Sequence, residues 1–385
     1  MKALEGLTII ETAERPAGEY TAKLLSDFGA EVIKVERPGG APTRHMGPFK
    51  DGYSALFGYL NTNKKSVVLD LEDSADRARL DALLARANAL IDDHDEVWGE
   101  AHDLTSAKVA ADHPHLVHCI VTPFGQGAPR EWQNAQPINI TNASGWAYHS
   151  PSETPHEKAP LKGPGRFFAD YEAGIDAAMC VLASLHRQRH AQTREQGGQF
   201  IDISQDEVLL NRIDCVLDRM LAGDVEPSMD RTAYDMGGPQ TSFACKDGHV
   251  YVFMTTKVHW NGLCQLMGNP EWAGEFREDW LEFDCTKENV RSFQSQFAQW
   301  VADQEKLVIS EEGQKLGVAI VPVNTAADLP KNAQFIDRGF FQEREHPVFG
   351  TVAYPTVPYK LSATPVDIAS PAPGIGADNA ELGGA

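Results

Sequence analysis

The stretch GRFFADYEAG, residues 165–174, is the most informative part of this chain about its fold. A helical pattern follows directly, because the next apolar residues recur at the spacing of one helix face. These residues are Ile175, Ala178, Met179, Leu182 and Leu185. A glycine pair and the β-rich run QFIDIS, residues 199–204, come next. This order of loop, acid, helix, turn and strand places one carboxylate, that of Asp170, at the N-terminus of an apolar helix.

Asp170 has two interpretations on spacing alone. An aspartate at the start of a helix commonly caps it, because its side chain accepts hydrogen bonds from the free N–H groups of the first turn. A carboxylate is also a possible nucleophile that attacks a carbonyl and divides a difficult acyl transfer into easier steps. The spacing does not decide between a cap and a nucleophile.

A βαβ unit is predicted near the start of the chain. The run LTII at 7–10 predicts a strand, a helix with an apolar face follows and ends at Gly29, and EVIKV at 31–35 predicts a second strand. Strands joined by a crossover helix are parallel, and ligands bind at their carboxyl ends close to helix N-termini. Because no GxGxxG follows the first strand, a dinucleotide is not favoured as the ligand.

Composition predicts a soluble globular enzyme with room for two domains. The chain has 385 residues, 42% of them hydrophobic, and a formal net charge of −21. This charge argues against nucleic acid and anionic membranes as partners, because nothing offsets their phosphates. We expect a cytoplasmic protein, since the first residues show no signal-peptide pattern and no apolar run approaches about 18–20 residues. The scattered cysteines, without a CxxC pair, fit free thiols in a reducing compartment.

Three segments are predicted from composition and pattern. Residues 1–224 form the first part of a large α/β domain, 225–325 a smaller α/β domain, and 326–385 a return segment that completes the large one. The boundary near 224 rests on a loop-like stretch rich in glycine and proline, in which Gly237-Gly238 is a candidate lid. The tail from about residue 370 is rich in Pro, Gly, Ala and Asp, and is expected to be loose.

Three motifs resemble the class III CoA-transferases, the family that includes formyl-CoA transferase and carnitine CoA-transferase. The run GAEVIKVER at 29–37 is similar to a family segment whose arginine contacts CoA. The run NTNKKSVVLDL at 61–71 is similar to a strand along which CoA lies. The third motif joins the stretch around Asp170 to GQFIDISQDE at 198–207, and the likeness extends over nearly the whole chain.

The resemblance implies a fold, a site and a reaction. The fold would be a Rossmann-like large domain with a smaller α/β domain, in an interlocked dimer in which two ring-like chains pass through each other. Asp170 would be the acyl acceptor, and the residues beside CoA would be Ala17, Arg37, Leu69 and Asp70. Coenzyme A and acyl-CoA would be substrates, with carboxylic acids as the other reactants, and no permanently bound cofactor or metal is expected. Trp146, Tyr148, His149, Arg166 and Tyr171 would lie near the acyl group, by proximity to Asp170.

One stretch departs from the family pattern. After the predicted strand at 89–91, relatives carry Glu-Asn-Phe and later an arginine, whereas this chain has DDHDE at 92–96 and no arginine before Arg130. We expect these acids to repel the CoA pyrophosphate. A metal site at Asp93, His94 and Asp95 is not favoured, because a histidine among acids on a loop is usually solvated and no second ligand pair has a matching spacing.

Three other functions remain open. An acyl-CoA racemase or isomerase on the same fold is disfavoured, because Gln136 and Pro137 stand where racemases carry a catalytic His-Asp, and an amide cannot exchange an α-proton. A non-catalytic subunit paired with an active homologue is suggested by the acidic run. An α/β hydrolase would need a Gly-x-Ser-x-Gly elbow, which is missing.

Overall fold

The computed structural model describes residues 2–149, 165–190, 197–213, 220–223 and 239–382. The chain divides into two compact units. The larger comprises Met1–Pro227 with Gly339–Ala385, and the smaller is Ser228–Arg338. The sequence-based boundaries at 224 and 325 stay predictions. Gly237-Gly238 lies outside the described residues.

A six-stranded parallel sheet forms the centre of the larger unit, which confirms the prediction of an α/β fold with a parallel sheet. Its strands follow the order β5-β2-β1-β6-β7-β8. Taken in chain order these six strands stand as 3-2-1-4-5-6, the doubly wound arrangement, whose direction of winding reverses between β1 and β6. The bounds are β1 Thr8–Glu11, β2 Glu31–Glu36, β5 Lys64–Val68, β6 Ala89–Asp92, β7 Val117–Thr122 and β8 Phe200–Ser204.

Two antiparallel hairpins complete the strands of the larger unit. The short one pairs β3 Phe49–Lys50 with β4 Tyr53–Ser54, and the longer one pairs β12 Phe341–His346 with β13 Gly350–Pro355. In the longer hairpin the chain turns between His346 and Gly350, which pair with each other.

The helices of the larger unit lie on both faces of the sheet. On one face α1 and α8 pack over the strands in an apolar core, and on the other face Leu80, Leu83 and Leu84 of α3 do the same. The bounds are α1 Pro16–Asp27, α2 Ala55–Leu60, α3 Ser74–Arg86, α4 Glu96–Ala101, α5 Ser106–Asp112, α6 Pro137–Ala143, α7 Trp146–His149, α8 Phe168–His190 and α9 Gln205–Leu210.

A three-stranded antiparallel sheet forms the smaller unit, in the order β11-β10-β9. The strands β9 and β10 form a hairpin, in which Gly248 pairs with Cys245 across the turn. Within the described residues of this unit, five α-helices accompany the sheet, around a core rich in Trp and Phe. The bounds are β9 Thr241–Cys245, β10 Gly248–Phe253, α10 Lys257–Leu266, α11 Trp280–Phe283, α12 Lys287–Val301, α13 Lys306–Lys315, β11 Ala319–Val323 and α14 Ala333–Asp337.

Four charged side chains are buried together beneath α1. Lys34 of β2 lies 2.8 Å from Glu11 of β1 and 2.9 Å from Glu19 of α1, and all three side chains are 0% exposed. Lys64 of β5 lies 2.7 Å from the other Glu11 oxygen and donates to the Glu19 carbonyl at 2.8 Å. Although burial opposes it, the charges of Glu11 and Glu19 raise the pKa of Lys34, whereas burial lowers the pKa of Lys64 to about 8.

The tail differs from the loose segment expected from its composition. The side chains of Asp378 and Asn379, at the start of α15 Asn379–Leu382, accept hydrogen bonds from the backbone N–H groups of Ser66 and Val68, each at 2.8 Å. Because β5 is the last strand on its side of the sheet, these bonds occupy N–H groups that no further strand would pair.

Gly174 lets α8 approach α1 closely. A Cβ atom at this position would lie 2.9 Å from Tyr20 Cδ1 and 3.1 Å from the carbonyl oxygen of Ala17, which is closer than packed side chains allow. The glycine stands one helical turn after Asp170, so the spacing of the two helices also sets where Asp170 lies relative to the start of α1.

We expect Gly174→Val to lower the free energy of unfolding by about 1–3 kcal/mol, since overpacking must push α8 away from α1. Urea denaturation followed by circular dichroism measures this change. Gly374→Val is the matched control, because no atom lies within 4 Å of a Cβ at Gly374. Equal losses in the two variants would contradict the packing argument.

Candidate functional site

Asp170 lies in the first turn of α8, as the third residue of a helix that begins at Phe168. The side chain is therefore not the cap that spacing alone suggested. It is 5% exposed, and its Oδ1 accepts a hydrogen bond from Gln205 Nε2 at 3.2 Å. The other oxygen, Oδ2, is buried without a hydrogen-bond partner among the described residues. A buried carboxylate with an uncommitted oxygen is costly to fold, which is typical of functional groups.

The surroundings of Asp170 set its ionisation. Burial raises the pKa of the carboxyl to about 6, while the Gln205 hydrogen bond, the charge of Arg15 and the backbone N–H of Ala17 limit the rise. The carboxyl is therefore ionised at neutral pH, yet poorly solvated. This combination suits a nucleophile, because little water must be removed before the oxygen reacts.

The start of α1 lies beside Asp170 and is held by Asp93. The Asp93 carboxylate accepts the backbone N–H of Glu14 at 2.9 Å and that of Arg15 at 2.7 Å. Because Glu14 and Arg15 follow β1 and Asp93 follows β6, these bonds join the two strands at which the winding of the sheet reverses. Ligands of doubly wound sheets bind at this switch point.

A cavity of about 670 Å³ opens over Asp170. It is lined by the segment before α1, the residues after β6, the turn at Arg130–Asn134 and the start of α6. Gln136 and Pro137 line it too. The positions that carry His-Asp in racemases are therefore occupied by a carboxamide side chain and a pyrrolidine ring. Three arginines complete the wall, namely Arg15, Arg130 and Arg166.

A second cavity, of about 190 Å³, contains three of the residues expected beside CoA: Arg37, Leu69 and Asp70. The Leu69 side chain is in the apolar core and its N–H is bonded to the Glu36 carbonyl. The backbone of Asp70 is engaged as well, because its N–H donates to Asp76 Oδ2 at 2.9 Å and its carbonyl accepts the N–H of Asp73. Ala17, by contrast, is in the α1 turn that faces Asp170. The structure thus brings the expected residues together in two groups.

The two cavities share one wall, formed by Glu14, His94, Trp98 and His102. The three rings stack in series, with the His94 and Trp98 centroids 3.6 Å apart and the Trp98 and His102 centroids 4.3 Å apart. A ligand that occupied both cavities would pass this stack.

The acidic run at 92–96 lies partly in the interior, and the expectation that it repels the CoA pyrophosphate stays a prediction. Asp92 and Asp93 are buried, and Asp92 Oδ1 lies 2.5 Å from His94 Nδ1. Although burial opposes it, the charge of Asp92 raises the pKa of His94 to about 10, so the imidazole is a cation. His94 is packed rather than solvated. The buried Asp93 accepts backbone N–H groups, and the buried Asp92 contacts the His94 cation.

Ligand atoms of Asp92, Asp93 and His94 lie within 4.8 Å of one another, a spacing open to a metal ion. However, the Asp93 oxygens already accept two N–H groups, and His94 Nδ1 faces Asp92. The expectation that no metal is bound stays a prediction.

Several site residues were missed from the sequence. Arg15, His94 and Asp93 gave no usable signal, because their roles depend on burial and on contacts between distant strands. Gln205 did have a signal, since it stands inside the run GQFIDISQDE. Of the residues expected near the acyl group, Arg166 lines the cavity, Trp146 and Tyr171 are not in its lining, and the side chains of Tyr148 and His149 lie outside the described part.

A model of CoA-transferase family III matches residues 4–379. Succinyl-CoA:glutarate CoA-transferase of Mus musculus is 28% identical, over 98% of this chain and 84% of its own length. The alpha subunit of succinyl-CoA–L-malate CoA-transferase of Chloroflexus aurantiacus is also 28% identical, over 97% of this chain and 86% of its own. The crystal structure of a CAIB/BAIF family protein from Brucella suis has the same fold, with a TM-score of 0.83 and 22% identity over 98% of both chains.

We expect Asp170→Asn to raise the free energy of unfolding at pH 7.5 by about 2 kcal/mol, because it removes a buried charge whose pKa is raised on folding. The sign follows from the raised pKa of about 6 in the folded protein. The ionised carboxylate destabilises the fold fully above that pKa, and the cost disappears as the pH falls towards about 4.

Urea denaturation of both proteins between pH 4 and 8 measures the difference in stability. Asp303→Asn, at an exposed aspartate of the smaller unit, is the control and should show no such trend. A difference at Asp170 that is the same at pH 4 and pH 7.5 would contradict the buried-charge argument.

Proposed function

The chain belongs to CoA-transferase family III, as its motifs predicted, and we propose that it moves CoA from an acyl-CoA donor to a carboxylic acid acceptor through Asp170. The enzyme class follows from the family. The residue assignment rests on one observation: a buried, ionised carboxylate with a free oxygen lies in the wall of the larger cavity.

The proposed reaction has four steps. Asp170 Oδ2 attacks the donor thioester carbonyl, and the C–S bond breaks to leave an aspartyl-acyl anhydride and CoA thiolate. The thiolate attacks the aspartyl carbonyl, which releases the donor acid and forms an aspartyl-CoA thioester. The acceptor carboxylate attacks this thioester and expels the thiolate again, giving a second anhydride. Attack of the thiolate on the acceptor acyl carbon then releases the new acyl-CoA and restores Asp170.

Gln205 is well placed to stabilise the second and third steps. When a nucleophile adds to the aspartyl carbonyl, negative charge develops on Oδ1, the oxygen to which Gln205 Nε2 already donates at 3.2 Å. A fixed donor in a water-poor site stabilises such an oxyanion strongly. The position of Asp170 in the first turn of α8 adds the positive end of the helix dipole.

We propose that CoA extends from the smaller cavity to the larger one. Arg37 would meet the phosphates at the outer end, the backbone of Leu69 and Asp70 would lie along CoA, and the thiol end would pass the ring stack towards Asp170. The cationic His94 supports this route, because it offsets the acids around it. The acidic run at 92–96 therefore no longer supports the interpretation as a non-catalytic subunit.

We further propose an interlocked homodimer, with a heteromer of two homologues as the second arrangement. The long helix α8 exposes Ile175 and Met179, one turn apart, with 42% and 59% of their surface accessible. Apolar side chains of this exposure fit a protein interface. One relative named above is an alpha subunit, which keeps the heteromer open.

A reducing, cytoplasmic location without a permanent cofactor is part of the same proposal. None of the five cysteines in the described part of the chain forms a disulfide. No helix within the described residues has the length and apolar character needed to cross a bilayer.

We expect the wild type to gain a covalent acyl or CoA adduct when it is exposed to a panel of acyl-CoA thioesters, and Asp170→Ala to gain none, because the adduct forms on the Asp170 carboxyl. Intact-mass spectrometry measures this, with peptide mapping to locate the adduct. Asp176→Asn, on the same helix and paired with Arg212 at 2.7 Å, is the control that should behave as wild type.

Two results would contradict the mechanism. An adduct of equal yield on Asp170→Ala would assign the nucleophile elsewhere. No adduct on the wild type, together with exchange of the α-proton in deuterated water, would favour the racemase chemistry instead.

We expect Arg37→Gln to weaken CoA binding about tenfold at low salt, with the difference shrinking as salt is added, because an exposed phosphate contact is screened. The Arg37 side chain is 59% exposed and lies 3.3 Å from Glu14, so a phosphate can compete for it. Calorimetric titration with CoA measures the affinity. Arg79→Gln, whose arginine is paired with Asp76 at 2.9 Å outside both cavities, is the control. Equal affinities for wild type and Arg37→Gln would exclude Arg37 from the phosphate site.

A further inference from the structure

Three guanidinium groups surround the cavity that contains Asp170, at Arg15, Arg130 and Arg166. None of them has a carboxylate within ion-pair distance among the residues that the structure describes. Other arginines of the larger unit do, as Arg44 with Glu36 at 2.7 Å and Arg212 with Asp176 at 2.7 Å illustrate. In a chain with a formal net charge of −21, acids are plentiful, so three uncommitted cations around one cavity suit an anionic ligand.

The acids of the same cavity form no ion pair with these arginines among the described residues, because their oxygens have other partners. Asp93 accepts the N–H groups of Glu14 and Arg15, and Asp95 caps α4 by accepting the N–H of Trp98 at 2.9 Å. Glu14 lies 3.3 Å from Arg37 and 3.8 Å from His94. Asp170 is the remaining carboxylate, and its proposed role needs an open oxygen.

Arg15 is the best positioned of the three. Its backbone is fixed by the bond to Asp93, and Nη2 donates to the Gln133 carbonyl, a neutral acceptor that leaves the charge available. A guanidinium has five N–H donors, so one such bond leaves a fork that can bind a carboxylate. Its charge also acts on Asp170, whose pKa it helps to lower.

The CoA phosphates are not the anion that these arginines would bind. Arg15, Arg130 and Arg166 line the Asp170 cavity but not the adjoining one, where Arg37, Leu69 and Asp70 are found. An anion in the Asp170 cavity belongs to the acyl group or to the acid that accepts CoA. A simple monocarboxylic acid offers only the carboxyl that reacts at Asp170, and a second carboxylate would give the arginines a partner.

We propose that Arg15, assisted by Arg130 and Arg166, binds the free carboxylate of a dicarboxylic acyl group, so that the substrates are dicarboxylic acids and their CoA monothioesters. This rests on the proposed function, because it takes Asp170 as the reacting group. Both relatives compared above are named for succinyl-CoA, the monothioester of a dicarboxylic acid. Arg15 is a specificity-determining residue in this assignment, and the cavity of about 670 Å³ leaves the chain length of the acid open.

The test compares succinyl-CoA with butyryl-CoA, which has the same four-carbon chain and a methyl group instead of the carboxylate. Dissociation constants are measured by calorimetry in Asp170→Asn protein, so that no turnover intervenes. We expect succinyl-CoA to bind about tenfold more tightly, as one charge-assisted hydrogen-bonded contact supplies. Adding Arg15→Gln should abolish this preference while butyryl-CoA affinity stays the same. Arg15→Lys should keep part of the preference for succinyl-CoA, and Arg79→Gln should keep all of it.

The outcomes separate this inference from the proposed function. Equal binding of the two thioesters before Arg15 is changed overturns the inference and leaves transfer through Asp170 intact. If Arg15→Gln weakens the binding of succinyl-CoA and of butyryl-CoA equally, the inference is also overturned, since Arg15 would then bind the CoA part or stabilise the fold. Thermal unfolding of the variant distinguishes CoA binding from a loss of stability. Failure of the wild type to form an adduct with any thioester overturns the proposed function, whatever the binding preference.

Discussion

The buried cluster of Lys34, Lys64, Glu11 and Glu19 is the interaction on which the rest of the site depends. It connects β1, β2 and β5 to α1 with ion pairs that water does not reach. Removal of one partner from such a group leaves an uncompensated buried charge, which costs several kcal/mol. The cluster therefore fixes α1 against the sheet, and with it the turn from which Arg15 and Ala17 approach Asp170. Asp93 completes the restraint from β6, so the groups at the start of α1 that approach Asp170 are positioned by charges several residues away.

Local pattern predicted the elements well, and contacts between distant residues decided the site. The strands β1, β2, β6 and β7 and the helices α1 and α3 follow from apolar periodicity and a glycine stop, which are properties of neighbouring residues. Asp170 was placed near a helix start for the same reason. How α8 lies beside α1 and α9 determines the contact of Asp170 with Gln205 and leaves its other oxygen without a partner among the described residues. No spacing rule contains that information. Family likeness supplied Arg37, Leu69 and Asp70, and the structure gathers them around one cavity.

The acidic run shows why charge counted along a sequence misleads. DDHDE suggests a repulsive, solvated loop, yet two of its aspartates are internal and its histidine is a cation. The sign of the field at a ligand depends on which charges remain uncommitted after folding. By the same reasoning, a chain with a large negative charge presents arginines to its own cavity, because its acids are engaged elsewhere. Net charge limits the choice of macromolecular partners and says little about a pocket.

The bonds from Asp378 and Asn379 to β5 bear on how the chain is made. Until residues 376–379 have left the ribosome, β5 stands at the rim of the sheet with free N–H groups, a template to which another nascent chain can add a strand. The smaller unit must be synthesised during that interval, since it precedes the sealing segment. This edge of the sheet is therefore covered late in synthesis, and an uncovered strand edge is a site at which nascent chains can associate.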